Sequence, residues 1–216
     1  MRATSKFPLV TGTLLVAALL ASLSPTLARA LVFDRGAIAA GQWWRLLTGN
    51  WVHFSAGHLL VDALALGVTG WKIERRHHAS FALLCGVTAP AIELSVFFLA
   101  PGVGQYGGLS GLACAAVAWL AVDGLWEGRR AQQKLCAAAL GTLAAKIVWE
   151  CVTGRALFLA ADDRLMVLPL AHAAGFIMGA GLALVQRLCA RRHRWKRPDH
   201  LRALLAAEAL DGGLGA

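Results

Sequence analysis

This sequence is short of charge. Asp, Glu, Lys and Arg make up 15% of its 216 residues, where a soluble domain carries about 25%. Apolar residues reach 58%, above the roughly 45–50% of soluble domains, and the mean hydropathy is +0.60. That balance excludes an ordinary water-solvated globule and describes an integral membrane protein whose solvent is lipid. Cysteine offers little either. The five, Cys85, Cys114, Cys136, Cys151 and Cys189, all lie in or beside apolar segments, show no zinc-type spacing and imply no disulfide framework. No phosphate-binding loop, metal-ligand cluster or internal repeat is legible, so neither a cofactor nor a metal is expected. The net charge of +9 would suggest nucleic acid in a polar chain. In one this apolar it is the charge of cytoplasmic loops, and no nucleic-acid partner is expected.

What is present is a series of apolar runs. A membrane helix needs about 20 mostly apolar residues, and six segments qualify: 8–28, 56–72, 79–99, 108–125, 134–152 and 167–189. The expected fold is an all-α, six-transmembrane helical bundle over residues 1–190, followed by a basic tail over 191–216. The first segment has a second reading. "TLARA" ends in the small-x-small pattern of a signal-peptidase site, although its apolar stretch is long for a leader. Fifteen Lys and Arg residues fall before segment 1, between segments 2 and 3, between 4 and 5, and after 6; five fall on the other side. That asymmetry predicts both termini in the cytoplasm.

The loop over 29–55 is amphipathic and carries Trp43, Trp44 and Trp51. Tryptophan favours the membrane interface, so the loop is expected to lie at the outer boundary. The tail from Arg191 is basic and then rich in Ala and Leu, as suits a cytoplasmic helix on anionic headgroups.

Polar side chains at membrane depth are costly and mark function. Segment 2 opens with His53, His58 and Asp62, the last two sharing one helix face. Segment 4 opens with Ser110, and segment 6 carries His172. All three openings are expected at the same outer depth. Gly175 and Gly179 form a small-xxx-small face that also carries His172. Gly111, Cys114, Ala115 and Ala118 give segment 4 a matching small face. Close packing of the two would bring the Ser110 hydroxyl to the His172 ring, a nucleophile beside a base with no third acid required. A packing hydroxyl and an interfacial anchor are the bland alternatives for each residue alone. Lys146 and Glu150, four apart, read as an intrahelical ion pair facing the bundle; Glu93 has no explanation.

"GGLSG" at 107–111 resembles the GxSG motif of rhomboid intramembrane serine proteases. "WWRLLTGNWVHFSAGHLLVD" resembles their Trp-Arg loop and the H-x-x-x-N helix after it, and "AHAAGFIMG" resembles their last-helix histidine with its Gly-x-x-x-Gly. The motifs come in family order, with neither an N-terminal cytosolic domain nor a seventh span. "AKIVWECVTGRALF" resembles the compact bacterial rhombosortase branch. The resemblance implies an intramembrane endopeptidase of the bacterial inner membrane, with transpeptidase-like chemistry open to it. Ser110 would be the nucleophile, and His172 the general base. The Ser110 N–H with His58 and Asp62 would hold the oxyanion, and Gly108 and Gly111 would let the backbone turn under the serine. It also implies single-span membrane clients with C-terminal Gly-Gly tails. One position departs from the family: Asp62 stands where the motif has asparagine, and an ionised carboxylate cannot donate to an oxyanion. Asp62 is either protonated or paired with a charged His58. The competing classes are a catalytically inactive rhomboid-like client-binding protein and a small transporter, which would use Lys146, Glu150 and Glu93 but leaves "GGLSG" without a role.

Overall fold

A computed structural model of the chain describes residues 7–127, 129–154 and 168–195. Arg2, Lys6, Arg155, Asp162, Asp163, Arg164 and the tail beyond residue 195 lie outside the described residues. The chain divides into two units, Met1–Ala183 and Leu184–Ala216. His58, Asp62, Ser110 and His172 all fall in the first.

The structure is built on helices. Helix α1 (Leu9–Leu23) ends where Ser24 turns extended, and α2 (Pro25–Leu31) sets off at 119° to it. The turn is written locally: Ser24 accepts the Leu27 N–H, and Pro25 occupies the first helical position, where a missing N–H costs nothing. The expected continuous helix over 8–28 is therefore a bent pair. The start of α1 is satisfied from elsewhere. Glu74 accepts the Val10 N–H at 2.7 Å, the Thr11 N–H at 2.9 Å and the Thr11 hydroxyl at 2.8 Å. A buried carboxylate thus meets the free donors and positive end of a helix N-terminus.

Glu74 belongs to α5 (Ala56–Leu99), 44 residues long. At about 1.5 Å per residue such a helix would run to roughly twice the ~30 Å of a bilayer core. It breaks at His77, whose φ of −137° and ψ of 57° are not helical. The expected loop between segments 2 and 3 is thus reduced to this one residue. Lys72, Glu74, Arg75 and Arg76 are good helix formers, so the helix continues beyond its apolar run before it breaks.

Between α2 and α5 the chain lies over the bundle. Strand β1 (Phe33–Asp34) pairs antiparallel with β2 (Gln105–Tyr106), Phe33 opposite Tyr106. Short helices α3 (Arg35–Ala39) and α4 (Arg45–Thr48) and a 3₁₀ turn (Gly49–Trp51) follow. Asp34 accepts the Ala37 N–H and the Gln105 amide, which hold its carboxyl below the usual carboxylate range. Two arginines fasten this region. Arg35 donates to the carbonyls of Val96, Phe97, Ala100 and Val103, closing the C-terminal end of α5. Arg45 reaches the carbonyls of Arg29 and Val32 and the Gln42 side chain. Trp43 and Trp44 remain exposed.

The last three helices are α6 (Ser110–Glu127), α7 (Arg130–Thr153) and α8 (Pro169–Trp195). Leu112, Ala113, Cys114, Ala115, Ala116, Ala118, Trp119, Ala121 and Val122 are all buried, so α6 is covered on every side. The core gathers Leu66, Phe81 and Ile92 of α5, Leu112 and Trp119 of α6, and Phe33 and Leu109 of the overlying segments. The outer faces carry exposed Leu64, Val68, Phe98, Leu135, Val148 and Ile177, as a lipid-solvated bundle requires. Among the described residues three helices are long and apolar enough to cross a membrane: Ala56–Leu99, Arg130–Thr153 and Pro169–Ala190. A fourth is added if α1 and α2 count as one, and α6 is a shorter apolar helix.

Replacing Glu74 by alanine strips three donors at the start of α1 of their acceptor. Each buried group left unsatisfied costs about 1–3 kcal/mol. The thermal unfolding midpoint of Glu74→Ala in detergent is expected to fall clearly below that of the wild type, with Glu74→Gln between the two.

Candidate active site

Ser110 is the first residue of α6, and the segment before it is held from two sides. Tyr106 is paired in β2, and the Leu109 N–H donates to His53 Nε2 at 3.2 Å. Between them Gly108 has φ of +135°, a conformation that favours glycine. A Cβ there would lie 2.8 Å from His58 Cε1 and 3.0 Å from its Nε2. Gly108 is thus demanded both by the turn and by the ring packed on it. The buried Tyr106 hydroxyl has no hydrogen-bond partner.

Helices α6 and α8 touch backbone to backbone. A Cβ on Gly175 would strike the Gly111 carbonyl, and one on Gly179 the Ala115 carbonyl. A Cβ on Gly111 would lie 3.0 Å from the Ala171 carbonyl and 2.6 Å from Ile92 Cδ1. The small faces expected on segments 4 and 6 therefore meet each other. Ser110 and His172 are the chain neighbours of two residues at this crossing, Gly111 and Ala171.

Asp62 is buried and shared by two histidines. Its Oδ2 lies 3.2 Å from His58 Nε2, one turn away on α5, and 3.2 Å from His53 Nε2. The rings stand nearly edge to face, 5.0 Å apart. His53 Nδ1 faces the Trp51 carbonyl at 3.3 Å, whereas buried His58 Nδ1 has no hydrogen-bond partner. The sequence shows no metal-ligand spacing, yet the fold brings three such atoms, from His53, His58 and Asp62, within 4.8 Å of one another. The contact with His58 Nε2 is that of an imidazole N–H donating to a carboxylate, whereas His53 Nε2 meets both Asp62 Oδ2 and the Leu109 N–H, and one ring nitrogen serves only one of them at a time.

His172 is buried in the first turn of α8 and meets α7. Its Nδ1 lies 2.6 Å from Glu150 Oε2 and 3.2 Å from Lys146 Nζ, and Lys146 donates to Glu150 Oε1 at 2.6 Å. The expected pair on segment 5 is present and faces the bundle. The expectation for this histidine named no carboxylate partner, and the structure places Glu150 at its Nδ1. Half of the signal lay in the sequence, since a charged pair in an apolar helix seeks a buried polar partner; which residue that partner is depends on tertiary placement. His53 was legible as polar but not as the second partner of Asp62, because a loop residue's direction cannot be read from helical spacing.

The Rhomboid domain family model matches residues 40–188, which contain every residue of this site. This chain belongs to the rhomboid family. Among curated proteins, the Rhomboid protease GluP of Bacillus subtilis (strain 168) is 35% identical over 82 residues. The match covers 36% of this chain and 16% of that protein, so only a small part of the curated relative's length is spanned. With its apolar helices, membership makes this a multi-pass membrane protein.

The α6–α8 crossing gives a direct test. Gly175→Val forces a side chain into the Gly111 carbonyl, and such overpacking costs about 1–3 kcal/mol. Its thermal unfolding midpoint in detergent is expected to drop, whereas Gly181→Ala on the same helix, where a Cβ meets nothing within 4 Å, should leave it unchanged.

Proposed function

We propose that the protein is an intramembrane serine endopeptidase working through Ser110 and His172. The observation that carries this reading is the packing of the "GGLSG" end of α6 against the "AHAAG" end of α8 within a rhomboid domain. In the first step the Ser110 hydroxyl proton passes to His172 Nε2 while Oγ bonds to the substrate carbonyl carbon. The tetrahedral oxyanion then collapses, the C–N bond breaks, and His172 returns the proton to the leaving amine. Water attacks the resulting ester by the same path; a second amine in its place would give transpeptidation. Such a base contributes about 10²–10⁴-fold to rate.

The oxyanion would be met by the Ser110 N–H at the positive end of α6 and by His58. With Nε2 given to Asp62, the unpartnered Nδ1 of a charged His58 is a donor that an incoming oxygen would satisfy once the groups covering it move aside. Asp62 then acts as the anchor of that imidazole rather than as a donor itself.

We read the arms of α5 on either side of His77 as separate spans, giving six with the α1–α2 pair, α6, α7 and α8. Lys and Arg placement favours both termini in the cytoplasm of a bacterial cell and the Ser110 end of the bundle at the outer face of the inner membrane. A site there reaches the outer end of a client's membrane helix. A helical peptide bond is shielded by its own hydrogen bonds, so the client must unwind, and glycine unwinds most readily. With the resemblance to rhombosortases, this favours single-span clients with a C-terminal tail of Gly-Gly motif, membrane helix and basic cytoplasmic end.

Two outcomes are expected. A fluorophosphonate probe should label the wild type but neither Ser110→Ala nor His172→Ala, and both variants should fold yet fail to cleave a membrane-anchored client; appreciable cleavage by either removes the dyad. Mass spectrometry of a released Gly-Gly client should place the cut beside the glycines, and replacing them by leucine should slow release. A cut deep in the helix or on its cytoplasmic side is incompatible with this topology.

A further inference from the structure

His172 is engaged from α7 by two groups at once. Its Nδ1 stands 2.6 Å from Glu150 Oε2 and 3.2 Å from Lys146 Nζ, and Lys146 Nζ donates to Glu150 Oε1 at 2.6 Å. The two nitrogens are both donors, so they do not bond each other; each points a proton at its own carboxylate oxygen. This hydrogen-bond pattern puts the neutral ring's proton on Nδ1 and its lone pair on Nε2. Glu150 is 1% exposed, so its rotamer is set by its partners and not by water.

We propose that Glu150 and Lys146 are positioning residues for His172: Glu150 fixes the ring and its tautomer and balances the imidazolium formed during reaction, and Lys146 holds Glu150 while keeping His172 neutral at rest. The inference rests on the protease reading above. A lone carboxylate 2.6 Å from an imidazole in a low-dielectric interior favours the charged ring, and a ring already protonated cannot accept the serine proton. The Lys146 ammonium opposes that bias from 3.2 Å. The pair is formally neutral, yet it is oriented, with its negative oxygen on the ring. When the Ser110 proton arrives at Nε2 and Oγ bonds to carbon, the new positive charge meets Oε2 already in place, and no proton needs to pass to Glu150. When His172 returns its proton to the leaving amine, the resting arrangement is restored.

Among the described residues, Cys114 on α6 is a further titratable group near Lys146 and Glu150. It carries no charge while it is a thiol, so among the described residues Glu150 and Lys146 are the charged groups in contact with His172. Their removal should therefore have opposite effects.

The test measures the rate of Ser110 phosphonylation by a fluorophosphonate across the acid and neutral pH range, on the full chain in detergent. Glu150→Gln is expected to slow labelling on the order of 10²-fold or more and to move the acid limb of the profile to lower pH. Lys146→Met is expected to move that limb to higher pH, with a smaller loss at its plateau. Merely loosening the bundle would not displace the two limbs in opposite directions. Glu150→Gln within about twofold of wild type at every pH, or both limbs displaced the same way, overturns the inference. If Glu150→Gln does not fold, Lys146→Met decides alone, and an unmoved limb overturns it. Labelling that survives in Ser110→Ala would instead remove the protease reading, while unlabelled Ser110→Ala beside unaffected Glu150→Gln would remove only the role of the pair.

Discussion

The contact on which the rest depends is the crossing of two backbones. At Gly111 with Gly175, and at Ala115 with Gly179, α6 and α8 approach until no side chain fits between them. Lipid offers apolar segments no hydrophobic reward for leaving it, so association in a membrane relies on close packing and buried polar contacts. The small residues supply the first, and they fix where everything else on the two helices can stand. The serine at the head of α6 and the histidine near the head of α8 lie beside the crossing because Gly111 and Ala171 are part of it.

The second constraint is that buried charge comes in compensated sets. Glu74 collects donors from the start of α1. Asp62 lies between His53 and His58, and Glu150 between Lys146 and His172. Each set ties together elements distant in sequence: α1 to α5, the overlying loop to α5, and α7 to α8. Bringing an isolated charge into such surroundings is prohibitive, so each carboxylate works as a locator for its partners. Glu93 is the exception. Both of its oxygens are buried without a hydrogen-bond partner, Oε1 would lie 2.7 Å from a Cβ on Gly49, and nothing in the structure explains it.

Much of this was legible in the sequence because it was written in periodicity and in small residues. Helices lie over each of the six apolar runs, and the glycines at 175 and 179 announce a close partner. The motif around Ser110 and the H-x-x-x-D turn of α5 point to the site itself. What escaped was directional. Lys72 to Arg76 read as a loop by charge, yet charged residues with high helix propensity extend a helix as readily as they end one. The bend after Leu23 depended on Ser24 and Pro25 acting together. The reach of Glu150 to another helix, and of His53 from a loop back to Asp62, depended on tertiary placement that no spacing encodes.

The unequal exposure of α6 and α7 has a consequence for how this sequence can change over time. Helix α6 has no free face: its apolar residues from Leu112 to Val122 are almost all in contact with protein, at a density where one added methylene is felt. A substitution there survives only if a neighbour on α5, α7 or α8 changes with it. Helix α7 presents Leu135, Val148, Trp149 and Val152 to the outside, where any apolar residue serves equally well. Drift should therefore accumulate along the lipid face of α7 while its inner positions, Lys146 and Glu150 among them, stand still, so that one helix carries permissive and restricted positions side by side.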